Sequence, residues 1–271
     1  MAWLISQSDC QSLCLDCYYD PPLIDAAKRF YLSDEWTETK KFLPSNIGTA
    51  LDVGAGMGIG SFALASEGWQ VTSLEPDPSN LVGAGAIRQL AVDSGLDIYV
   101  VEKWGERLPF KDNSFDVVYL RQVLHHAQNL QLMCKELYRV LKPGGRLIAS
   151  REHVISNNLQ LHKFLYNHPL HRLYGGENAF KKNQYIQALK SAGFIVKNTF
   201  GPWGSLINIA PLSRSDLSNI FIERFHIKLG GSLMNKFICS NFGFRLLCVI
   251  LGLVDRRPGR LYTFILDKNC N

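Results

Sequence analysis

The chain has 271 residues, 46% hydrophobic and 20% charged, with a formal charge of +5 and a pI near 8.8. That length and composition suit one α/β domain with additions and exclude general disorder. The positive charge is mild and scattered except at Arg256-Arg257-Pro258-Gly259-Arg260, so no basic stripe points to a nucleic-acid partner.

Residues 1–46 carry aromatic side chains at Tyr18, Tyr19, Phe30, Tyr31 and Trp36, close at Pro44, and read as an N-terminal helical cap. From 47 to 151 strand-like runs alternate with helical stretches, the pattern of a parallel sheet covered by helices. Strands are expected at 49–53, 70–74, 97–101, 114–120 and 146–150. Helices are expected at 61–67, 78–94 and 129–141, the last stopped by Pro143-Gly144-Gly145. Residues 152–200 hold a polar, His-rich lid segment and then a continuation of the core. In that continuation a helix at 183–192 ends at Gly193 and a strand follows at 194–199. Residues 201–260 read as a helical insertion covering an acceptor pocket, because loops of that length without structure are rare. A last strand at 261–266 opens the closing segment, 261–271. The apolar run at 246–254 is too short to span a bilayer as a helix and reads as a buried core helix, with contact at a membrane surface as its alternative. Seven cysteines without framework spacing, and a start without a leader-like apolar run, suggest a reducing, cytoplasmic setting. No oligomeric state is legible in the sequence.

The stretch Ala50-Leu51-Asp52-Val53-Gly54-Ala55-Gly56-Met57-Gly58-Ile59-Gly60 ends a strand on alternating glycines, which let backbone approach a ligand closely. A dinucleotide fingerprint needs a third glycine three residues after the second. That position is Ile59 in one register and Ser61 in the other, so the fingerprint fails. What remains is an acid, GxGxG, and a second acid, Glu75, at the end of the next strand. A carboxylate there can accept from both hydroxyls of a ribose.

These features resemble motif I of the class I S-adenosylmethionine-dependent methyltransferases. The later runs Trp104-Gly105-Glu106-Arg107-Leu108-Pro109-Phe110, Asn113-Ser114-Phe115-Asp116-Val117-Val118, Val123-Leu124-His125-His126 and Leu141-Lys142-Pro143-Gly144-Gly145-Arg146-Leu147 are similar to the small-molecule members, among them ubiquinone and menaquinone C-methyltransferases. The resemblance covers residues 50–150. It implies a Rossmann-like, seven-stranded, mostly parallel sheet with a reversed last strand, which binds S-adenosylmethionine and releases S-adenosylhomocysteine. It also implies that Asp52, Gly54, Ala55 and Gly56 line the methionine portion and that Glu75, with Pro76, meets the ribose. Trp104, Gly105 and Glu106 would flank the adenine; Leu120, Arg121 and Gln122 would pass beneath the amino and sulfonium groups, with His126 nearby. Trp104 departs from the pattern: many relatives have an aspartate there, and an indole cannot accept the adenine amine's hydrogen bond.

Methyl transfer needs a positioned nucleophile, and a base if the acceptor is a hydroxyl. His125, His126, Glu152 and His153 fall at carboxyl ends of strands. His126 is expected to open the helix after the fourth strand, and His153 to face the acceptor pocket as the candidate base. His162, His168, His171 and Glu177 lack a known zinc spacing, and Pro169 disfavours a helix carrying both His168 and His171, so no metal is expected. Gly175-Gly176 reads as a lid hinge. Cys10, Cys14 and Cys17 have the spacing of cluster-binding radical enzymes, but Asp16 and the downstream fold argue for simple packing. Asp20-Pro21-Pro22-Leu23, which resembles a base-gripping tetrapeptide, lies far from the fourth strand where such a motif belongs, so nucleic acid is not the expected substrate. The expected function is methylation of a small, partly apolar acceptor, with oxygen favoured over carbon or nitrogen. The alternatives are a non-enzymatic cofactor-binding sensor or scaffold and a membrane-associated lipid or quinone methyltransferase.

Overall fold

The computed structural model describes residues 6–7, 10–229 and 232–270. Its strands are β1 Thr49–Val53, β2 Gln70–Leu74, β3 Ile98–Val101, β4 Phe115–Arg121, β5 Leu141–Ile155, β6 Phe180–Lys181, β7 Ile195–Phe200 and β8 Arg260–Asp267. They form one sheet in the order β3-β2-β1-β4-β5-β8-β7, with the short β6 beside β5. The pairings among β1 to β6 are parallel, and β8 runs antiparallel to both β5 and β7. The reversed last strand expected from the sequence is therefore present.

Side chains of the central strands alternate between two cores, because successive residues of a strand point to opposite faces. Leu51 and Val53 of β1 join Leu120, Leu137 and Leu189 on one face, beneath the helices Leu130–Val140 and Lys182–Ala192. Ala50 of the same strand packs on the other face with Phe30, Trp36, Leu64 and Ile87. The second face is covered by Ile59–Ser66, Ala84–Ser94 and the N-terminal helices Leu23–Leu32 and Asp34–Thr39. A parallel sheet buried on both faces accounts for the nearly continuous apolar runs of β1 and β4.

Several elements differ from the sequence reading. The helix expected at 78–94 begins only at Ala84. Asp77 accepts from the N–H of Ser79 through its side chain and from the N–H of Ala84 through its carbonyl, and these local bonds compete with a helical turn. His126 does not open a helix: Leu124–His126 is a single 3₁₀ turn, and the helix starts at Leu130 behind the Asn129 cap. Pro169 begins a new helix after Asn158–Asn167 ends, so His168 and His171 share none, as read. It occupies the first turn of Pro169–Tyr174, where its missing N–H is no loss, and His168 caps that helix.

The largest difference is β5, which spans 15 residues where five were expected. Its pairing with β8 shifts register between Ala149 and Glu152, and Arg151 within the shift has φ of 61°. Such a bulge re-aims the side chains that follow it, and those are Glu152 and His153.

The insertion is helical, with Leu206–Ile209, Arg214–Leu229, Ser232–Cys239 and Asn241–Val254. It builds its own small core from Ile209, Leu217, Phe221, Ile238, Phe244 and Cys248. The run at 246–254 is not a buried core helix. Gly243, Phe244 and Cys248 of its helix are buried, with Leu247 and Leu251 partly buried against the same core, and Phe242, Leu246, Val249, Ile250, Leu253 and Val254 are exposed along the opposite side. Among the described residues no helix is long and apolar enough to cross a membrane.

Candidate active site

A cavity of about 460 Å³ opens over the carboxyl ends of β1, β2, β4 and β5. Its floor is the glycine turn after β1. Gly54 donates to the carbonyl of Leu74 at 2.8 Å and has φ of +64°, and a Cβ on it would lie 2.8 Å from Val123. Gly56, at φ +56°, has nothing within 4 Å of the position a Cβ would take. The first glycine therefore allows close packing, and the second leaves space for a ligand.

Two carboxylates stand beside this turn. Glu75 accepts from the N–H of Gly56 at 2.7 Å and from the N–H of Asp77 at 3.0 Å, leaving a lone pair free on each oxygen. Burial raises its pKa, and those backbone bonds oppose the rise. Asp52 accepts from the Ser61 hydroxyl at 2.7 Å, and burial, with Glu75 adding its charge, pushes its pKa up to about 7.

Of the residues expected to meet the cofactor, Asp52, Gly54, Ala55, Gly56, Glu75, Pro76, Trp104, Gly105, Glu106, Arg121, Gln122 and His126 line the cavity, as does His153. Leu120 does not. It is fully buried in the core, because alternation along β4 turns it away while Tyr119 and Arg121 face the other side. Glu106 ties its loop down by accepting from the N–H of Gln128 at 3.0 Å. Gly105 packs where a Cβ would meet Met133 at 3.0 Å. Trp104 is 70% exposed at the rim.

Arg121 is already committed. Its guanidinium forms a bidentate pair with the fully buried Glu35 at 2.7 and 3.0 Å, over the rings of Tyr18 and Phe30. Glu35 also lies 3.7 Å from Arg151, whose own guanidinium donates to the carbonyls of Ile207 and Ala210. This cluster joins the N-terminal cap, both strand ends and the insertion. Neither Glu35 nor Arg151 is identifiable from local sequence, since each reads as a surface charge. The cap also contributes Cys17, Tyr18 and Tyr19 to the cavity wall. No described residue of 201–260, the segment expected over the acceptor pocket, lines the cavity; the cap and residues 168–170 and 177 take that place.

At the far end the structure gathers a cluster from three separate segments. His125 donates from Nδ1 to Glu152 at 2.8 Å, and Glu152 also accepts from the backbone N–H groups of Val123 and His125 at 3.1 and 3.0 Å. Nε2 of His125 lies 3.5 Å from Glu177. Burial alone would lower the His125 pKa, but Glu152 and Glu177 outweigh it and push the value up to about 9. Glu177 is held down to about 2, the histidines around it overcoming the effect of burial.

His153 donates from Nδ1 to the carbonyl of Gly259 at 2.8 Å, so its Nε2 is the acceptor nitrogen. Burial and the neighbouring His125 lower its pKa to about 3, and it stays neutral. His126 donates from Nδ1 to the carbonyl of Gly176 at 3.0 Å and so touches the lid. His168 approaches Glu177 at 3.9 Å.

Residues 51–149 match the family described as methyltransferase domain. That span is the one in which the sequence resembles the class I methyltransferases. The cofactor of that class is S-adenosylmethionine, and the site fits it. Gly56 leaves open space beside the turn, Glu75 keeps free acceptor lone pairs at the end of β2, and the buried Asp52 suits a cationic ligand. The chain is 38% identical over 106 residues to the ubiquinone/menaquinone biosynthesis C-methyltransferase of Brucella abortus strain S19, covering 37% of this chain and 38% of that protein. The match spans well under two thirds of the relative's length.

Two solved structures share the fold over most of the chain. The [4+2]-cyclase SpnF has a TM-score of 0.57 at 18% identity, over 91% of this chain and 82% of its own. Geranyl diphosphate methyltransferase, solved with S-adenosylmethionine, has a TM-score of 0.57 at 14% identity, over 87% and 84%. That one of them is named a cyclase illustrates that fold alone does not set the reaction.

Proposed function

We propose that the protein transfers a methyl group from S-adenosylmethionine to a hydroxyl oxygen of a small, partly apolar acceptor. The observation that carries this reading is the continuity of one cavity, from the glycine turn and Glu75 at one end to His125, His153 and Glu177 at the other. Bound S-adenosylmethionine supplies an electrophilic methyl on a sulfonium. Glu75 accepts from the ribose, Asp52 offers a carboxylate to the cationic end, and Gly105 with Trp104 walls the adenine side.

The acceptor lies between the cap residues Tyr18 and Tyr19 and the lid residues Pro169 and Leu170, whose rings and aliphatic groups favour apolar surface. His153 orients the hydroxyl by accepting at Nε2, rather than serving as the base as its position in the sequence suggested. Glu177 takes the proton. A carboxylate of low basicity suffices, because the attacking oxygen becomes strongly acidic as its bond to carbon forms. Incubation with methyl-labelled cofactor and fractionated cell extract tests the reading: a labelled ether or ester supports it, and a labelled amine or C-methyl product refutes the oxygen assignment.

A second reading has one observation in its favour. The exposed apolar face of Asn241–Val254, with Arg245 on it and Arg256 just beyond, suits contact with an anionic phospholipid surface and delivery of a lipid-soluble acceptor. Co-sedimentation with anionic vesicles, abolished by Leu253→Glu, would support it; no co-sedimentation would remove it.

A further inference from the structure

We propose that His125, His153 and Glu177 form a binding site for a divalent transition-metal cation at the acceptor end of the cavity. Two imidazoles and one carboxylate are the donor set that suits zinc, ferrous iron, cobalt or manganese, whereas magnesium and calcium prefer oxygen alone. The proposal rests on the methyltransferase reading only for its chemical role; the metal site itself stands on the geometry.

That geometry has four parts. The ligand atoms of the three side chains lie within 4.8 Å of one another, and Nε2 of His125 is 3.5 Å from Oε2 of Glu177. Each imidazole has its other nitrogen tied: His125 donates to the carboxylate of Glu152 and His153 to the carbonyl of Gly259, both at 2.8 Å. Metal-binding histidines are held in this way, which fixes the tautomer and aims Nε2. Oε2 of Glu177 is buried with no well-formed hydrogen bond among the described residues, its partner being Nε2 of His125 in a long 3.5 Å ion pair, and a cation between the two would take the place of that pair's proton. Finally, all three residues line the cavity, so the remaining coordination positions face the place where an acceptor would sit.

Ligand atoms around one such cation stand roughly 3 Å apart when adjacent, given bonds of about 2.1 Å. The widest separation must therefore close on binding, and Glu177 is placed to supply the movement. It follows Gly175 and Gly176, both at positive φ, with nothing within 4 Å of either Cβ position. With the cation bound, Nε2 of His153 would hold the metal in place of the acceptor hydroxyl; the cation would bind the acceptor oxygen and lower the pKa of its hydroxyl, and the unligated oxygen of Glu177 would take the proton, leaving the oxyanion that attacks the methyl carbon. Glu152 is a positioning residue in this arrangement, acting through His125.

The test uses the full chain, freed of metal by chelation and titrated with cobalt(II). The expected result is one cobalt per chain, with visible d–d bands and no thiolate charge-transfer band in the near ultraviolet. His153→Ala and Glu177→Gln should weaken binding at least about tenfold, and Glu152→Gln by about 10- to 100-fold. The exposed His162→Ala should bind as the parent does. Should His153→Ala fail to fold, Glu177→Gln decides, since that side chain carries no well-formed protein hydrogen bond at Oε2. No cobalt binding, binding unaffected by Glu177→Gln, or a thiolate band would each overturn the site. Calorimetric binding of S-adenosylmethionine to the same metal-free protein separates the two proposals. Cofactor binding without cobalt binding removes the metal site alone, and cobalt binding without cofactor binding removes the methyltransferase reading alone.

Discussion

Nδ1 of His125 lies 2.8 Å from Oε2 of Glu152, with the two side chains 1% and 0% exposed. The pair joins the 3₁₀ turn after β4 to the bulged end of β5, and so holds the imidazole against the acceptor end of the cavity. Glu152→Gln keeps the shape but loses the charge. Turnover should fall by about 10- to 100-fold, while calorimetric affinity for S-adenosylmethionine stays unchanged. An unaltered rate would remove the orienting role.

Glu75 has both oxygens on backbone N–H groups and a free lone pair on each, which the proposed function assigns to the ribose. Glu75→Ala should raise the cofactor dissociation constant at least about tenfold, equivalent to about 1.4 kcal/mol. Unchanged affinity in a calorimetric titration would contradict the placement of the ribose.

Asp52, with its pKa pushed up to about 7, is largely protonated in slightly acidic solution. A cationic ligand alongside favours the charged form. Binding of S-adenosylmethionine near pH 6 should therefore release a proton, and the release should fade well above pH 7. Calorimetry in buffers of different ionisation enthalpy measures it directly, and Asp52→Asn should abolish the buffer dependence. A parent protein without buffer dependence would contradict the prediction.

Glu35 is fully buried against Arg121 and Arg151, and these charges outweigh burial and hold its pKa below the ordinary 4.5. A depressed folded pKa contributes stability above the unfolded value, and that stability is lost as pH falls through the folded one. The parent should thus lose stability progressively below about pH 4.5. Glu35→Gln should flatten that limb, measured by denaturant midpoints at several pH values. Glu35→Ala, which leaves two guanidinium groups without their carboxylate, should cost about 3–5 kcal/mol at neutral pH. A cost near zero would show that the cluster is not under the strain its burial implies.

The glycine turn and the strands around it were legible in the sequence because their signals are local. β1 and β2 fall at 49–53 and 70–74 as read, since each is an apolar run stopped by a glycine or an acid. The acceptor end was not, because its order depends on distant partners. Glu152 and His153 look like loop residues, yet they lie in β5. Their polar groups are satisfied by Val123 and His125 about 28 residues upstream, the two spans being 29 and 27, and by Gly259, 106 residues downstream. Periodicity within a window cannot report such bonds. The helix Asn241–Val254 failed for the opposite reason: an apolar composition was visible, but whether a neighbour covers it is a tertiary fact. Leu120 shows the same limit on a smaller scale, since the motif places it at the end of β4 but the alternation of that strand turns it into the core.

The central claim is methyl transfer through the cavity shared by Glu75 and the His125 cluster. Its most direct measurement is mass spectrometry of extract fractions incubated with the purified protein and methyl-deuterated S-adenosylmethionine. The expected result is an oxygen-linked deuteromethyl product formed together with an equal amount of S-adenosylhomocysteine, both lost in Glu177→Gln, which should still bind the cofactor. Cofactor bound by the parent protein with no label leaving it in any fraction would contradict the account.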